Sequence, residues 1–411
     1  MSLVTNQESW TMLNLPIYLD HNATTPCDSR VVEAMLPYFT NVYGNASSRH
    51  HQFGWQAEEA VEFARELIAK LVHAETNEII FTSGATESAN LALKGVYEMY
   101  AGKGNHIITC NIEHKAVLDT CRALEKKGAE VTYLSVKPDG LIDVAELEAA
   151  IKPNTVLISI MYANNEIGTV LPIKEIGAIA KKKGIIFFCD ATQAVGKIPV
   201  DVNADGIDLM AFSAHKMYGP KGVGALYVRR KNPRVKLAPQ LDGGGHEKGM
   251  RSGTLNVSGI VGFGKACEIC LNEMAAETER VKQLRDKLEN ALLKIEESYL
   301  NGDKQQRLPL TTNISFKYVD GNGLLMGFGK NIAVSSGSAC SSASPEPSYV
   351  LKALGLGDDL AHSSLRFGIG RFTNEEQIDY TIGQVTEAVQ RLREQSPLWE
   401  MHKEGIDLDA K

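Results

Sequence analysis

Short, nearly continuous apolar runs recur along this chain, each followed by a cluster of small polar residues. They are Glu78–Thr82, His106–Thr109, Glu130–Ser135, Val156–Met161, Ile185–Cys189, Asp208–Phe212 and Gly222–Val228. Runs of this length, bounded by turn-forming residues, predict strands buried on both faces. Between them the apolar period changes. Gln56–Leu71 carries Ala57, Val61, Ala64 and Ile68 on one helical face, and helices are also predicted over Val31–Phe39 and from the Ser83–Asn90 segment through Val96. Strands alternating with helices from about residue 26 to 275 predict an α/β fold with a mostly parallel sheet of about seven strands, covered by helices on both faces. A long amphipathic helix is predicted over 275–297 (Val281, Leu284, Leu288, Leu292, Ile295). Beyond it, strands at Thr312–Phe316 and Ile332–Ser335 and a charged helix at Glu375–Leu392 predict a smaller α+β unit. The expected division is a large domain over 26–274, with 1–25 and 275–411 forming the small domain.

The polar clusters lie where strands end, which is where α/β sheets place ligands. Phe212-Ser213-Ala214-His215-Lys216 leaves a buried strand with a lysine ahead of a Gly-Pro turn. A desolvated lysine has a lowered pKa and forms Schiff bases with carbonyls, pyridoxal phosphate among them; taken alone, it also reads as an ordinary loop lysine. Ser83-Gly84-Ala85-Thr86 crosses from strand to helix as an anion cup would, or as a plain helix cap. Asp190 ends the most apolar strand, a costly place for a carboxylate without a partner. A protonated pyridine nitrogen, a metal or backbone donors would satisfy it. His114 and Asn165 also follow strands, as a stacking or acid–base group and as a polar donor, or as a helix-start histidine and an Asx turn. Asp20–Pro26 and Arg251-Ser252-Gly253-Thr254 are two further polar turns.

A second reactive centre lies in Val334–Ser344, a run dominated by Ser, Gly and Ala around Cys340. Such a segment predicts an exposed loop, and a thiol on it is either a candidate nucleophile or a bystander. Arg366, in an apolar strand, has the planar fork that suits a carboxylate. Cys267 and Cys270 match a redox or zinc spacing, but they fall in a helical pattern with no second Cys/His pair behind them.

Composition narrows the class. The 411 residues are 44% hydrophobic and 23% charged, with a net charge of −7, which argues against a binder of nucleic acid dominated by phosphate contacts. Seven scattered cysteines suit a reducing compartment. No secretory pattern opens the sequence and no run approaches the roughly 18 apolar residues of a membrane span, so a soluble, cytoplasmic protein is expected.

Taken together, Thr82–Ser88, Ser213–Lys216, Arg251–Thr254 and Ser336–Cys340 resemble the cysteine desulfurases over nearly the whole chain, and most closely their iron–sulfur-cluster-assembly branch. These are class V aminotransferase-type enzymes of pyridoxal-phosphate fold type I. The resemblance implies that Lys216 carries the cofactor, Asp190 pairs with its ring nitrogen, Gln193 bonds its ring oxygen and His114 stacks on it. It implies that Ala85, Thr86, Ser213 and His215 hold the phosphate, joined by Thr254 from the partner of a homodimer. Asn165 and Arg366 would bind the carboxylate of L-cysteine, and Cys340 would take its sulfur as a persulfide, leaving L-alanine. Sulfur would pass to an iron–sulfur scaffold and other acceptors, including those of tRNA thiolation. No intrinsic metal is implied, although Cys340 could transiently ligate a nascent cluster. Competing readings are another fold type I enzyme, such as an aminotransferase or selenocysteine lyase, and a non-catalytic sulfur-relay scaffold.

Overall fold

In the computed structural model the described residues are 13–336 and 346–406; Cys340 lies outside them. The strands, in chain order, are β1 (Ile17–Tyr18), β2 (Ile79–Thr82), β3 (His106–Cys110), β4 (Glu130–Leu134), β5 (Thr155–Ser159), β6 (Ile186–Asp190), β7 (Leu209–Ser213), β8 (Gly224–Val228), β9 (Ser298–Leu300), β10 (Thr311–Phe316), β11 (Ile332–Ala333), β12 (Ser335–Ser336) and β13 (Ser364–Gly368). Seven of them form one sheet in the order β2-β8-β7-β6-β5-β3-β4. Within it β8 runs against both neighbours, while β7, β6, β5, β3 and β4 are parallel.

The apolar runs are continuous because both faces of this sheet are covered. Phe187, Ile158 and Met210 point into one core, and Phe188, Leu157 and Ala211 into the other. Burying a side chain of this size stabilises the fold by about 1.5–3 kcal/mol, so a polar residue is tolerated only where the strand emerges. The register pairs Asp190 with Ala211, two residues before Ser213, so β6 and β7 deliver Asp190 and the Ser213–Lys216 turn to the same edge.

A four-stranded antiparallel sheet, β12-β13-β10-β9, and the parallel pair β1-β11 build a separate core around Ile314, Phe316, Leu324, Phe367, Ile378 and Val385. Arg366 on β13 lies opposite Asn313 on one side and Ser335 on the other.

Two helices depart from the sequence expectation. The helix expected at 31–39 is two, Ser29–Met35 and Pro37–Thr40, because Pro37 begins a new helix instead of continuing the old one. The helix expected from 275 begins at Val257 and runs unbroken to Leu292. Its first half contributes Ile260, Phe263, Cys267 and Cys270 to the large core; its second half contributes Val281, Leu284, Leu288 and Leu292 to the other. The expected boundary at 274 therefore falls inside one helix. Cys267 and Cys270 are both buried on it, and no metal-ligating cluster occurs among the described residues.

Candidate functional site

At the carboxyl edge of the large sheet lies a cavity of about 680 Å³. Ala85, Thr86, His114, Asn165, Asp190, Gln193, Ser213, His215, Lys216 and Arg366 all line it, although they come from six separate stretches of chain. Thr254 does not line it; it is exposed on the surface of its own chain.

Lys216 sits in a single 3₁₀ turn after β7, and its Nζ donates to the carbonyls of Asn22 at 2.6 Å and Ala23 at 2.7 Å. The polar run after β1 thus holds the lysine amine in place. His215 beside it meets Thr24 Oγ1 at 3.1 Å. Burial, then the cations Lys216, Lys221 and Lys197, push the His215 imidazole down to about 4, so it is neutral at physiological pH.

Helix Ala85–Met99 starts at the cavity, and its N-cap, Gly84, provides no side-chain cap. Neither Ser83 nor Thr86 caps it, so first-turn N–H groups remain available to an anion. The approach of β8 demands glycine: a Cβ at Gly224 would lie 2.7 Å from Gly84 Cα and 2.8 Å from Phe212 O. Burial opposes the charge on Glu87, but Arg251 at 2.7 Å and the Ser83 N–H overcome it and lower its pKa. That pair ties the Arg251–Thr254 turn to the helix start.

Asp190 is buried and accepts the Thr192 N–H at 3.0 Å. Behind it lies Glu113, which the sequence reading did not single out. Glu113 accepts the Met161 N–H at 2.6 Å and the Cys110 thiol at 3.3 Å, while its Oε2 has no partner. Burial, reinforced by Asp190, raises its pKa to about 8. His114 Nδ1 caps helix Lys115–Glu125 by accepting the Ala116 N–H at 3.1 Å. Burial and Lys216 depress its pKa, against the pull of Asp190.

The Asx turn considered for Asn165 belongs to its neighbour, since Asn164 Oδ1 accepts the Glu166 and Ile167 N–H groups. Arg366 is ion-paired, a feature the sequence did not disclose. Its Nη2 meets Asp20 at 2.7 Å and its Nη1 donates to Asn165 O at 3.0 Å, whereas its Nε has no partner. Asp20 and Asn22 fall in the polar run singled out after the first strand, whereas the neighbours Glu113 and Lys197 were not read from the sequence.

The arrangement fits a planar, anionic carbonyl cofactor. A lysine amine, a buried carboxylate, an imidazole and an open helix N-terminus surround one cavity, and the glycine contact lets β8 pack directly against the Gly84 turn. An α/β sheet with this set at its carboxyl edge defines a pyridoxal-phosphate-dependent enzyme of fold type I. Comparison with known proteins agrees, and the chain belongs to the aminotransferase class-V family, whose model matches residues 17–381. It is 59% identical over 400 residues to Cysteine desulfurase IscS of Pectobacterium carotovorum subsp. carotovorum (strain PC1), covering 97% of this chain and 98% of that protein. The protein of the same name from Anaeromyxobacter sp. (strain K) is 58% identical over 398 residues, with the same coverage of 97% and 98%. Among solved structures, a NifS-like protein superposes with a TM-score of 0.86 at 38% identity, covering 92% of this chain and 100% of its own. SspA in complex with cysteine gives 0.78 at 38% identity, covering 87% and 100%. The enzyme's cofactor is pyridoxal phosphate. No helix among the described residues is long and apolar enough to cross a membrane.

Proposed function

We propose that this enzyme is a cysteine desulfurase that moves the sulfur of L-cysteine onto Cys340 and then to acceptor proteins. The observation that carries the reading is the joining of two kinds of group on one cavity. Lys216 and Asp190 meet the cofactor's needs, Arg366 meets those of a carboxylate, and Ser335 lines the same wall just before the segment bearing Cys340. Ser336 is four residues from Cys340, a span of at most about 14 Å, within reach of that wall.

When bound, pyridoxal phosphate withdraws electrons from the substrate Cα and labilises its Cβ–S bond. The protein's own residues do the rest. Lys216 carries the cofactor and moves protons at Nζ. Asp190 holds the ring nitrogen protonated, Gln193 donates to the ring oxygen and His114 covers the ring face. Ala85, Thr86, Ser213 and neutral His215 receive the phosphate. Asn165 and Arg366 orient the substrate carboxylate. The Cys340 thiolate then attacks the substrate sulfur: an S–S bond forms, the Cβ–S bond breaks, and its electron pair is protonated at Cβ. L-cysteine and a thiol become L-alanine and a persulfide, with no external oxidant or reductant.

Thr254, exposed on its own chain, serves the phosphate of a second subunit. A homodimer is supported by the exposed, adjacent rings of Tyr43 and Phe53, with Phe39 and Phe63 also exposed. The acceptors are an iron–sulfur scaffold and the proteins of tRNA thiolation. The deciding measurement is alanine and sulfide release from L-cysteine with a thiol reductant, for the native enzyme and Cys340→Ala. Equimolar products, lost in the variant while the cofactor's visible absorbance is kept, are expected. Undiminished turnover in the variant would make Cys340 a bystander and the enzyme a different lyase.

A further inference from the structure

We propose that Lys197 is a positioning residue: by donating to Gln193 it locks that carboxamide with its N–H groups facing the cofactor's ring oxygen. This rests on the reading that Gln193 faces that oxygen. Lys197 is buried on the turn after β6, and its Nζ lies 2.6 Å from Gln193 Oε1. Gln193 Nε2 in turn donates to Asn22 O at 2.9 Å, the same carbonyl that accepts Lys216 Nζ at 2.6 Å. A carboxamide nitrogen carries two hydrogens. One is used on Asn22, and the other is left for the cavity that Gln193 lines. The flipped amide would set its oxygen against Asn22 O and against an anionic ring oxygen, two repulsive contacts in place of two hydrogen bonds.

Nothing else explains a lysine here. Burying an amine away from any carboxylate destabilises a fold, and among the described residues no ion pair involves Lys197. The charged and titratable groups facing it are Lys216, Arg366, His21, His215, Tyr218 and Glu277, and Glu277 already pairs with Arg371 at 2.8 Å. Burial, followed by Lys216 and Arg366, drives the pKa of Lys197 well below that of an ordinary lysine. The amine keeps N–H groups in either protonation state, so the bond to Gln193 survives its titration. A small pocket of about 20 Å³, room for one water, is lined by both Lys197 and Lys216.

The test follows the visible absorbance of the holoenzyme against pH for the native enzyme, Lys197→Met, Lys197→Gln, Gln193→Ala and Lys197→Met/Gln193→Ala. Losing a hydrogen bond to the ring oxygen makes the cofactor more basic. The Lys197→Met midpoint should therefore move up by about 0.5–1 pH unit. The double variant should shift no further than Gln193→Ala, because Lys197 acts through Gln193. Lys197→Gln, which keeps a donor at that depth, should hold the native midpoint. An unmoved midpoint in Lys197→Met, additive shifts in the double variant, or an equal shift in Lys197→Gln would each overturn the proposal. Absence of a visible band in the native enzyme would instead sink the reading of the site.

Discussion

Replacing Arg366 by lysine separates recognition of a carboxylate from general electrostatics. Two of the five guanidinium N–H groups are committed, one to Asp20 and one to the Asn165 carbonyl, and Nε has no partner. Nε is itself buried, so one N–H on each Nη remains for a ligand in the cavity. Lysine keeps the charge but loses the planar fork, so a substrate carboxylate held by two parallel bonds retains at most one. A hydrogen bond to a charged group contributes about 1.5–3 kcal/mol, and part of the second interaction is also lost through misalignment. A penalty of about 2–4 kcal/mol corresponds to a roughly 30- to 1,000-fold fall in kcat/KM. The assay is alanine formation from L-cysteine, run beside turnover of cysteamine, which has the thiol and amine but no carboxylate. The native enzyme should favour L-cysteine strongly, and Arg366→Lys should lose most of that preference while its cysteamine turnover changes little. Equal losses on both substrates would show that Arg366 serves the fold or the cofactor. An unchanged kcat/KM for L-cysteine would refute the assignment.

Other consequences are as direct. Glu247 receives both Arg65 Nη atoms at 2.7 and 2.9 Å and the Phe81 N–H at 2.7 Å, all buried. Glu247→Ala should cost about 3–5 kcal/mol in denaturant unfolding, because it leaves the buried Arg65 with only the more exposed Glu62 at 3.0 Å; a loss under about 1 kcal/mol would mean that Glu62 or solvent satisfies it. Glu113, raised to about 8, binds more protons folded than unfolded once pH exceeds the ordinary value of 4.5. Its stabilising effect is therefore present below that value and declines as pH rises to about 8, by at most about 1.4 kcal/mol per unit. Glu113→Gln should unfold with a flatter pH profile over this window, and an identical profile would show that Glu113 ionises normally. His215, lowered to about 4, has the opposite sign. Its contribution is present above pH 6.5 and lost as pH falls through 4, so His215→Gln should be less acid-sensitive than the native enzyme in thermal melts between pH 6.5 and 4.5. Gly224→Ala should weaken cofactor retention at least about tenfold on dialysis, because the added carbon displaces the Gly84 turn.

The strands of the large sheet and their edge were legible because each is an apolar run with polar residues beyond it, while the short β9 was not read; β6 announces Asp190 as surely as β7 announces Lys216. The first half of the long helix was not. Gly259, Gly262, Gly264, Ala266, Cys267 and Cys270 are buried around much of its circumference, so no amphipathic stripe appears before residue 275. In the site, residues whose chemistry is local to a motif could be read. Those defined by partners far along the chain could not: Asp20 meets Arg366 across 346 residues, and Asn22 meets Lys216 across 194. Lys197 looks like any surface lysine until burial is known, and Glu113 like a helix-start acid.

The unbroken Val257–Leu292 helix also bears on how the chain unfolds. A domain joined to its neighbour by a loop can melt while the other stands. Here each core takes one wall from the same rod, and neither wall can dissolve without fraying the end of the other. The two cores should therefore melt as a single cooperative unit. Single-tryptophan variants reporting from Trp55 or Trp399 should give coincident transitions, and two separated midpoints would mean that the helix breaks near its centre.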